Sequence, residues 1–298
     1  MLLDIRKGEA LLAVLETGSF EAAAMRLHLT PSAVSQRVRA LEEALGTPLL
    51  VRSRPCHATT AGQRLAQYLR RSRLLEEEFL AEQVSNQQAP LSLPIVVNSD
   101  TLATWLLPAL RDFLLREQVL LDLTVDDQDH TYTWLEAGHV LAGVSSEPRA
   151  MRGCVAEPLG AMRYRLLATP AFAARYFPQG LNRAAARLAP LLVFNRKDAL
   201  QADFLQHQLG LAPGSYPCHY VPASDAFLLA IRLGLAYGMV PEQQYGDALA
   251  RGELLDLAPE QPTDVALYWH RWQVQSPKLE RLSQEVLRAA RQHLRPLP

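Results

Sequence analysis

Cysteine is scarce in this 298-residue chain, and the few that occur are spread out. Cys56, Cys154 and Cys218 form no CxxC pair, so we expect neither a disulfide framework nor a zinc site, and a reduced, cytoplasmic compartment fits this usage. No apolar run approaches the length of about 18 residues needed for a transmembrane helix, so no membrane association is expected. The N-terminus also lacks the apolar stretch and the cleavage site of a signal peptide.

Motifs of catalysis are missing as well. The sequence contains no GxSxG, HExxH, P-loop or GxGxxG pattern. Its eight histidines are scattered, and none stands at a metal-ligand spacing from a cysteine or an aspartate. We therefore expect a protein that is not an enzyme and that uses neither a metal nor a cofactor.

A surplus of positive charge is absent too, because 30 Lys and Arg stand against 31 Asp and Glu. Net charge therefore does not indicate a nucleic-acid partner, and DNA binding has to be argued from where the cations lie. With 49% hydrophobic and 20% charged residues, a chain of this length can form two or three domains with buried cores.

The first 60 residues have the signals of short helices followed by a hairpin. Ser19 can cap a second helix, and Thr30-Pro31 is a strong start for a third, with Thr as the N-cap and Pro at the first helical position. Gly46 ends that helix. Residues 48–52 read as a strand with Thr59 as its return, which predicts a winged helix-turn-helix over residues 1–60.

The third helix is the candidate for DNA recognition, because in this motif the N-terminal part of the second helix of the pair meets base edges. Its outward positions can hydrogen-bond to bases, whereas nearby arginines suit phosphates. The DNA-binding candidates are Thr30, Pro31, Ser32, Ser35, Gln36, Arg37, Arg39, Arg52 and Arg54. Considered by chemistry alone, the same residues could equally form an ordinary solvated helix face.

Residues 60–83 predict one unbroken helix. Its apolar side is a narrow seam with 3–4 spacing, formed by Leu65, Tyr68, Ser72, Leu75 and Phe79. A seam of this width is typical of a paired helix, so we interpret it as a dimerisation helix. Residues 84–90 read as a hinge, which makes 61–90 a linker segment.

Beyond residue 91 strands and helices alternate, which is typical of an α/β domain with parallel sheets. The expected strands are 91–98, 119–125, 139–144, 165–168, 191–194, 216–221, 236–240 and 265–272. One helix is expected at 101–116 and a last one at about 277–294. The fold class is therefore an α+β multidomain protein, whose domain 91–298 has two subdomains, 91–163 plus 265–298 and 164–264.

Polar residues follow several of these strands, at the place where ligands of open α/β sheets bind. The candidates for effector binding are Ser99, Asp100, Asp126, Asp127, Ser145, Ser224, Asp225 and Trp269. The aspartates could pair with an ammonium or guanidinium group. Helix caps, a solvated turn and a buried Trp269 and His270 are the competing interpretations, and Arg196-Lys197 would suit an anionic ligand better.

The N-terminal segments Glu16–Phe20, Ala22–Ala24, Thr30–Ser35 and Pro48–Arg52 together resemble the LysR-type family of transcriptional regulators. Leu50 departs from the family pattern, which usually has Phe. The resemblance covers the whole chain and implies a C-terminal effector domain like periplasmic binding proteins. Ala236, where the family often has Gly, is a second departure.

The segments Val97–Pro108, Pro217–His219 and Leu267–Arg271 look like the ArgP/LysG branch of that family. The resemblance implies a regulator of basic-amino-acid export with L-lysine or L-arginine as its effector. It also implies pseudo-palindromic double-stranded DNA and RNA polymerase as partners, and a homodimer or homotetramer. Two alternatives remain open: a LysR-type regulator with a neutral or aromatic effector, and an architectural DNA-binding protein without an effector.

Overall fold

The computed structural model describes residues 4–83, 91–126 and 131–297. Its helices are α1 (Ile5–Thr17), α2 (Phe20–Arg26), α3 (Pro31–Leu45), α4 (Thr60–Gln83), α5 (Ser99–Thr101), α6 (Leu107–Glu117), α7 (Thr131–Glu136), α8 (Pro170–Tyr176), α9 (Arg183–Ala186), α10 (Leu200–Leu209), α11 (Ser224–Arg232), α12 (Glu242–Tyr245) and α13 (Pro277–His293). Its strands are β1 (Leu50–Val51), β2 (His57–Ala58), β3 (Ser92–Val97), β4 (Leu120–Val125), β5 (Ala142–Ser145), β6 (Cys154–Ala168), β7 (Leu191–Val193), β8 (Cys218–Tyr220), β9 (Gly238–Pro241), β10 (Leu255–Asp256) and β11 (Thr263–Trp272).

The described residues form two compact units. The first contains residues 4–83, 91–94 and 132–141, and the second contains residues 95–126, 131 and 142–297.

Local capping signals define the helices of the first unit. The Ser19 side chain accepts a hydrogen bond from the backbone N–H of Ala22, and Thr30 accepts one from Ala33, so both predicted N-caps are confirmed. Gly46 ends α3 at a φ of 66°, a left-handed conformation that glycine adopts without strain. A shared core of α1, α2 and α3 includes the buried Leu11, Val34 and Val38.

The strands β1 and β2 pair antiparallel and form the wing. Glu42 of α3 fixes the start of β1 by hydrogen bonds. One of its carboxylate oxygens accepts from the backbone N–H of Leu49 at 2.8 Å and from that of Leu50 at 3.3 Å. Thr59, expected in the return strand, lies one residue after β2. Its hydroxyl instead accepts from Gly62 and donates to the Pro48 carbonyl, so it caps α4.

The predicted helix at 60–83 is confirmed as α4. Leu65 of its seam packs against the core of the first three helices, whereas Tyr68 and Phe79 are 55% and 60% exposed. Farther along the chain, residues 132–141 pack on the same helix, where Arg70 donates to the Ala137 carbonyl at 2.6 Å. The predicted hinge, 84–90, lies outside the described residues.

The second unit is built on a seven-stranded sheet with the order β10-β6-β11-β5-β3-β4, in which β9 also pairs with β6. The prediction of parallel sheets is only partly right. The pairs β3–β5 and β7–β8 are parallel, but β6 pairs antiparallel with β9, β10 and β11. The mixture of strands and covering helices is consistent with the periplasmic-binding-protein-like fold.

Two long strands, β6 and β11, make the observed sheet mixed rather than parallel. The sequence predicts only residues 165–168 of β6 as a strand, and Pro158 and Gly160 interrupt the pattern before them. The register shifts between Leu267 and Tyr268, opposite these two residues, so the sheet accommodates them in a bulge. Both strands pass without a break through the predicted subdomain boundaries at 163/164 and 264/265, which stay a prediction.

The expected helix at 101–116 is interrupted. It consists of α5, a π-helical turn at Leu102–Leu106, and α6. Pro108 lacks an N–H and its ring crowds the carbonyl of residue 104, and a wider turn just before it relieves that clash. No helix in the described ranges combines the length and apolarity that a membrane crossing needs.

Candidate functional site

The third helix turns a polar face outward in the first unit. Val34, Val38 and Leu41 are buried, whereas Ser32, Gln36 and Arg39 are exposed. The predicted readout residue Ser35 lies half-buried beside them. A helix with this burial pattern can place its exposed donors and acceptors in a major groove.

The start of α3 is capped by a side chain. Thr30 accepts the hydrogen bond from Ala33, and Pro31 occupies the first helical position. Both residues are exposed, so the capped end of the helix is accessible. Free N–H groups at such an end can also meet a phosphate.

The predicted phosphate-binding arginines have different surroundings. Arg54 is exposed in the wing, and Arg37 is half-buried on α3. The guanidinium of Arg52 lies 5.4 Å from the centroid of the Phe20 ring and 3.9 Å from a Glu42 oxygen. These contacts orient Arg52 at the base of the wing.

The second unit contains a pocket at the carboxyl ends of β3 and β4. Its lining residues are Asn98, Ser99, Asp100, Asp126, Tyr164, Phe194, Asp198, Leu200, Gln201, Phe227, Met239, Pro241 and Gln244. Ser99, Asp100 and Asp126, all predicted from the sequence, thus come together at one site. Eight of these lining residues carry polar side-chain groups and five are apolar, a combination that suits a polar small molecule.

Asp100 is the most strongly held carboxylate of this pocket. One of its oxygens accepts from the Tyr164 hydroxyl at 2.7 Å, and the other accepts from the Ser224 hydroxyl. Burial raises the pKa of Asp100, and the two hydroxyl hydrogen bonds oppose that shift. A carboxylate in this position gains from pairing with a cationic ligand.

Ser224 belongs to the wall behind the pocket rather than to its lining. It is buried at the start of α11, and its backbone N–H donates to the Ser99 hydroxyl at 3.3 Å. Asn98 caps α5 by accepting from the Thr101 N–H at 3.2 Å. These bonds fix the polar loop that follows β3.

Two further carboxylates line the pocket, at the ends of other strands. The backbone N–H of Asp126 donates to the Val97 carbonyl at 3.2 Å, which ties the end of β4 to the end of β3. Asp198 follows β7 and accepts from the backbone N–H groups of Phe194 and Leu200. None of the described lining residues is Lys, Arg or His, so the pocket wall carries only negative charge.

Several predicted effector residues lie elsewhere. Trp269 does not line the pocket, because it is fully buried and its ring N–H donates to the Ser283 hydroxyl at 3.0 Å. Ser145 is fully buried and accepts from the Glu147 N–H, and Asp225 lines a separate cleft on α11. Asp127 lies outside the described residues.

Arg196, which would suit an anionic ligand, is also outside the pocket lining. Its guanidinium lies 4.8 Å from the centroid of the Tyr220 ring, in a cation–π contact.

Sequence reasoning missed Tyr164, Asp198 and Gln201. The signal for Asp198 was available, because it follows the predicted strand 191–194 within a few polar residues. Tyr164 lies inside β6 and reaches Asp100 across 64 positions of sequence, for which no local signal exists.

Metal binding has no support in the geometry, since the described part of the chain brings together no group of three His, Cys, Asp or Glu suited to an ion. Cys56 is buried, and none of Cys56, Cys154 and Cys218 forms a disulfide in the part of the chain that the structure describes.

Comparison with known proteins gives consistent results for both units. The family described as "Bacterial regulatory helix-turn-helix protein, lysR family" matches residues 5–63, and "LysR substrate binding domain" matches residues 86–291. The curated HTH-type transcriptional regulator ArgP of Aeromonas salmonicida is 42% identical over 295 residues, covering 99% of each chain.

Two solved structures are similar over the full length. A crystal structure of ArgP from Mycobacterium tuberculosis has 41% identity and a TM-score of 0.87, covering 99% of this chain and 100% of the other. Full-length LysG from Corynebacterium glutamicum, solved with bound effector Arg, has 36% identity and a TM-score of 0.82 with the same coverage.

Proposed function

This chain belongs to the LysR family of bacterial DNA-binding transcriptional regulators, and on that premise we propose that its effector is a basic amino acid, L-arginine or L-lysine. The genes it controls are then those that respond to an excess of that amino acid, export genes above all. The relatives are transcriptional regulators rather than enzymes.

The observation that supports this effector best is the charge of the pocket. Asp100, Asp126 and Asp198 line it, and its described lining residues include no cation. A basic amino acid offers two cationic groups to these carboxylates, and its own carboxylate can accept from the Ser99 hydroxyl or the Asn98 amide. The LysG relative solved with bound Arg agrees with this assignment.

Thermal stability against a panel of amino acids tests the effector. We expect millimolar arginine or lysine to raise the melting temperature by several degrees, because ligand at about 100 times its Kd adds roughly 2.7 kcal/mol to the free energy of unfolding. Leucine, glutamate and phenylalanine serve as controls for nonspecific effects. A flat response to both basic amino acids would refute the proposal, and a shift with an aromatic amino acid alone would favour another effector class.

Three segments of the chain have separate roles in this proposal. We propose that residues 1–60 bind DNA, that 61–90 link and dimerise, and that 91–298 bind the effector. In the DNA-binding part, Ser32, Ser35, Gln36 and Arg39 read bases. The arginines at positions 37, 52 and 54 contact phosphates together with the capped start of α3, Thr30 and Pro31.

Replacing Gln36 by Ala should relax sequence preference. A good bidentate contact of a glutamine with adenine discriminates by about 1–3 kcal/mol, so operator affinity should fall by about 5- to 150-fold while affinity for random DNA stays the same. Fluorescence anisotropy with both DNAs measures the two values. Gln208→Ala, an exposed glutamine of the second unit, is the matched control. Equal losses on operator and random DNA would assign Gln36 to the backbone instead.

The exposed apolar side of the first unit supports our proposal that the chain dimerises. Ile5 of α1 and Tyr68, Leu75 and Phe79 of α4 are each more than 40% exposed, with Phe79 at 60%. A second copy of the chain is the occupant that also supplies two recognition helices for a pseudo-palindromic site. A tetramer would join two such dimers, and contact with RNA polymerase would couple DNA binding to transcription.

Phe79→Asp should separate the dimer. Placing an unpaired charge in an apolar interface costs several kcal/mol, so the dimer Kd should rise at least about 100-fold. Analytical ultracentrifugation measures it, with the exposed Gln63→Asp of the same helix as control. If Phe79→Asp sediments like the unaltered protein, the pairing surface lies elsewhere.

The effector acts through a shift between conformations. A ligand changes an equilibrium only by its difference in affinity for the two states. Closure of the pocket on a basic amino acid would favour one arrangement of the dimers on DNA over another, and the reciprocal effect is that operator DNA changes effector affinity by the same factor.

A further inference from the structure

Gln201 stands out among the residues of the pocket because it is a buried amide with an unused acceptor. It lies in the first turn of α10 and is only 3% exposed. Its side-chain oxygen is buried, and none of the described groups donates a hydrogen bond to it. Buried polar atoms are nearly always paired, so an unpaired one that lines a pocket points to a ligand.

The carboxylates around the same pocket are already engaged. Each oxygen of Asp100 accepts from a hydroxyl, one of Tyr164 and one of Ser224. Each oxygen of Asp198 accepts from a backbone N–H. These oxygens retain a lone pair for a ligand, but their orientation is fixed by the bonds they already make. The Gln201 oxygen has both of its lone pairs available.

The two candidate effectors differ in how many acceptors they need. A lysine ammonium has three N–H donors, which two or three carboxylate oxygens satisfy. A guanidinium has five N–H donors held in one plane, so it needs acceptors from more directions. Each donor left unpaired in a closed pocket weakens binding, because its hydration is lost without compensation.

We propose that Gln201 is a specificity-determining residue of this pocket: its amide oxygen accepts an N–H of a ligand guanidinium, and this contact makes the pocket prefer arginine to lysine. The proposal rests on the proposed function, since it concerns the same site. The carboxylates then pair with the charge of either basic amino acid, and Gln201 discriminates arginine from lysine.

Gln201→Met tests the proposal, since it keeps the length of the side chain and removes the acceptor. Arginine and lysine affinities are measured by isothermal titration calorimetry on the full-length protein. We expect arginine binding to weaken at least about tenfold more than lysine binding, the size typical of a lost hydrogen bond to a charged group. The ratio of the two affinities is the readout, because a general loss of fold would lower both alike.

Gln206→Met, at an exposed position of the same helix, is the matched control and should leave the ratio unchanged. Gln201→Asn keeps the amide but withdraws it by one methylene, and it should lower the ratio in the same direction. An unaltered ratio in both Gln201 variants would overturn the proposal while leaving a basic-amino-acid sensor intact. Absence of arginine and lysine binding in the unaltered protein would instead refute the proposed function itself.

Discussion

Replacing Asp100 by Asn should reduce affinity for arginine and lysine about 100-fold and leave the ligand-free protein at least as stable as before. Removing one partner of a buried, hydrogen-bonded charge pair typically costs 2–5 kcal/mol, and about 3 kcal/mol corresponds to this factor. Asn retains one acceptor and the shape that Tyr164 and Ser224 contact. Binding and stability therefore respond differently to the same substitution.

The stability part follows from the pKa of Asp100. Burial raises that pKa, so the folded state binds the proton more tightly than the unfolded chain does. Ionised Asp100 thus lowers the free energy of unfolding at neutral pH. This penalty shrinks as the pH falls from the raised pKa of the folded state towards the ordinary pKa of the unfolded chain. The stability advantage of Asn should accordingly be largest at neutral pH and shrink on acidification.

The protonation of Asp100 also determines how ligand affinity depends on pH. A protonated Asp100 cannot pair with a cation, so affinity should fall as the pH drops through the raised pKa, at a higher pH than for an ordinary aspartate. Calorimetric titrations and thermal melts across this range measure both effects. Asp112→Asn, an exposed carboxylate of α6, is the control. Unchanged arginine affinity in Asp100→Asn would place the ligand cation away from this residue.

Gly62→Ala should destabilise the first unit and weaken operator binding. An added Cβ would lie 1.9 Å from the Leu49 carbonyl oxygen and 2.9 Å from its carbon. That carbonyl cannot retreat easily, because it accepts from the Thr59 N–H at 3.0 Å and Leu49 is anchored in the core.

The steric clash costs more free energy than a glycine-to-alanine substitution normally gains in a helix. Exchanging glycine for alanine inside a helix gains roughly 0.5–1 kcal/mol, whereas overpacking against backbone costs about 3 kcal/mol or more. For a unit of this size, we expect the melting temperature of the first unit to fall by more than roughly 10 °C. Operator affinity should fall at least about tenfold, since the wing and α3 share Glu42.

Calorimetry and operator binding check this result, and arginine affinity provides the internal reference. The pocket residues belong to the second unit, so arginine should bind Gly62→Ala as it binds the unaltered protein. Thr60→Ala, at an exposed position in the same turn, controls for the gain in helix propensity that alanine brings. Native melting and native operator affinity in Gly62→Ala would mean that the backbone of the wing yields at little cost.

Local sequence signals predict the elements whose causes lie within one or two helical turns. Thr30 and Ser19 act on N–H groups three residues away, and Gly46 ends α3 through its own φ. The 3–4 spacing of residues 65–79 is a property of one helix, so α4 needed no tertiary information. Part of the pocket could also be predicted locally, because its polar residues directly follow β3 and β4 in the sequence.

Contacts between residues far apart in the sequence depend on the packing of the whole chain. Tyr164 and Ser224 reach Asp100 from 64 and 124 positions away, and Gln201 enters the pocket from a helix that carried no sequence signal. The antiparallel strands β6 and β11 likewise pair across about 100 residues. Trp269 of β11 therefore lies in the core and not in the pocket, where it was predicted. Periodicity and capping act within one or two helical turns, whereas these contacts depend on how strands are ordered in the sheet, and strand order is set only when the whole core packs.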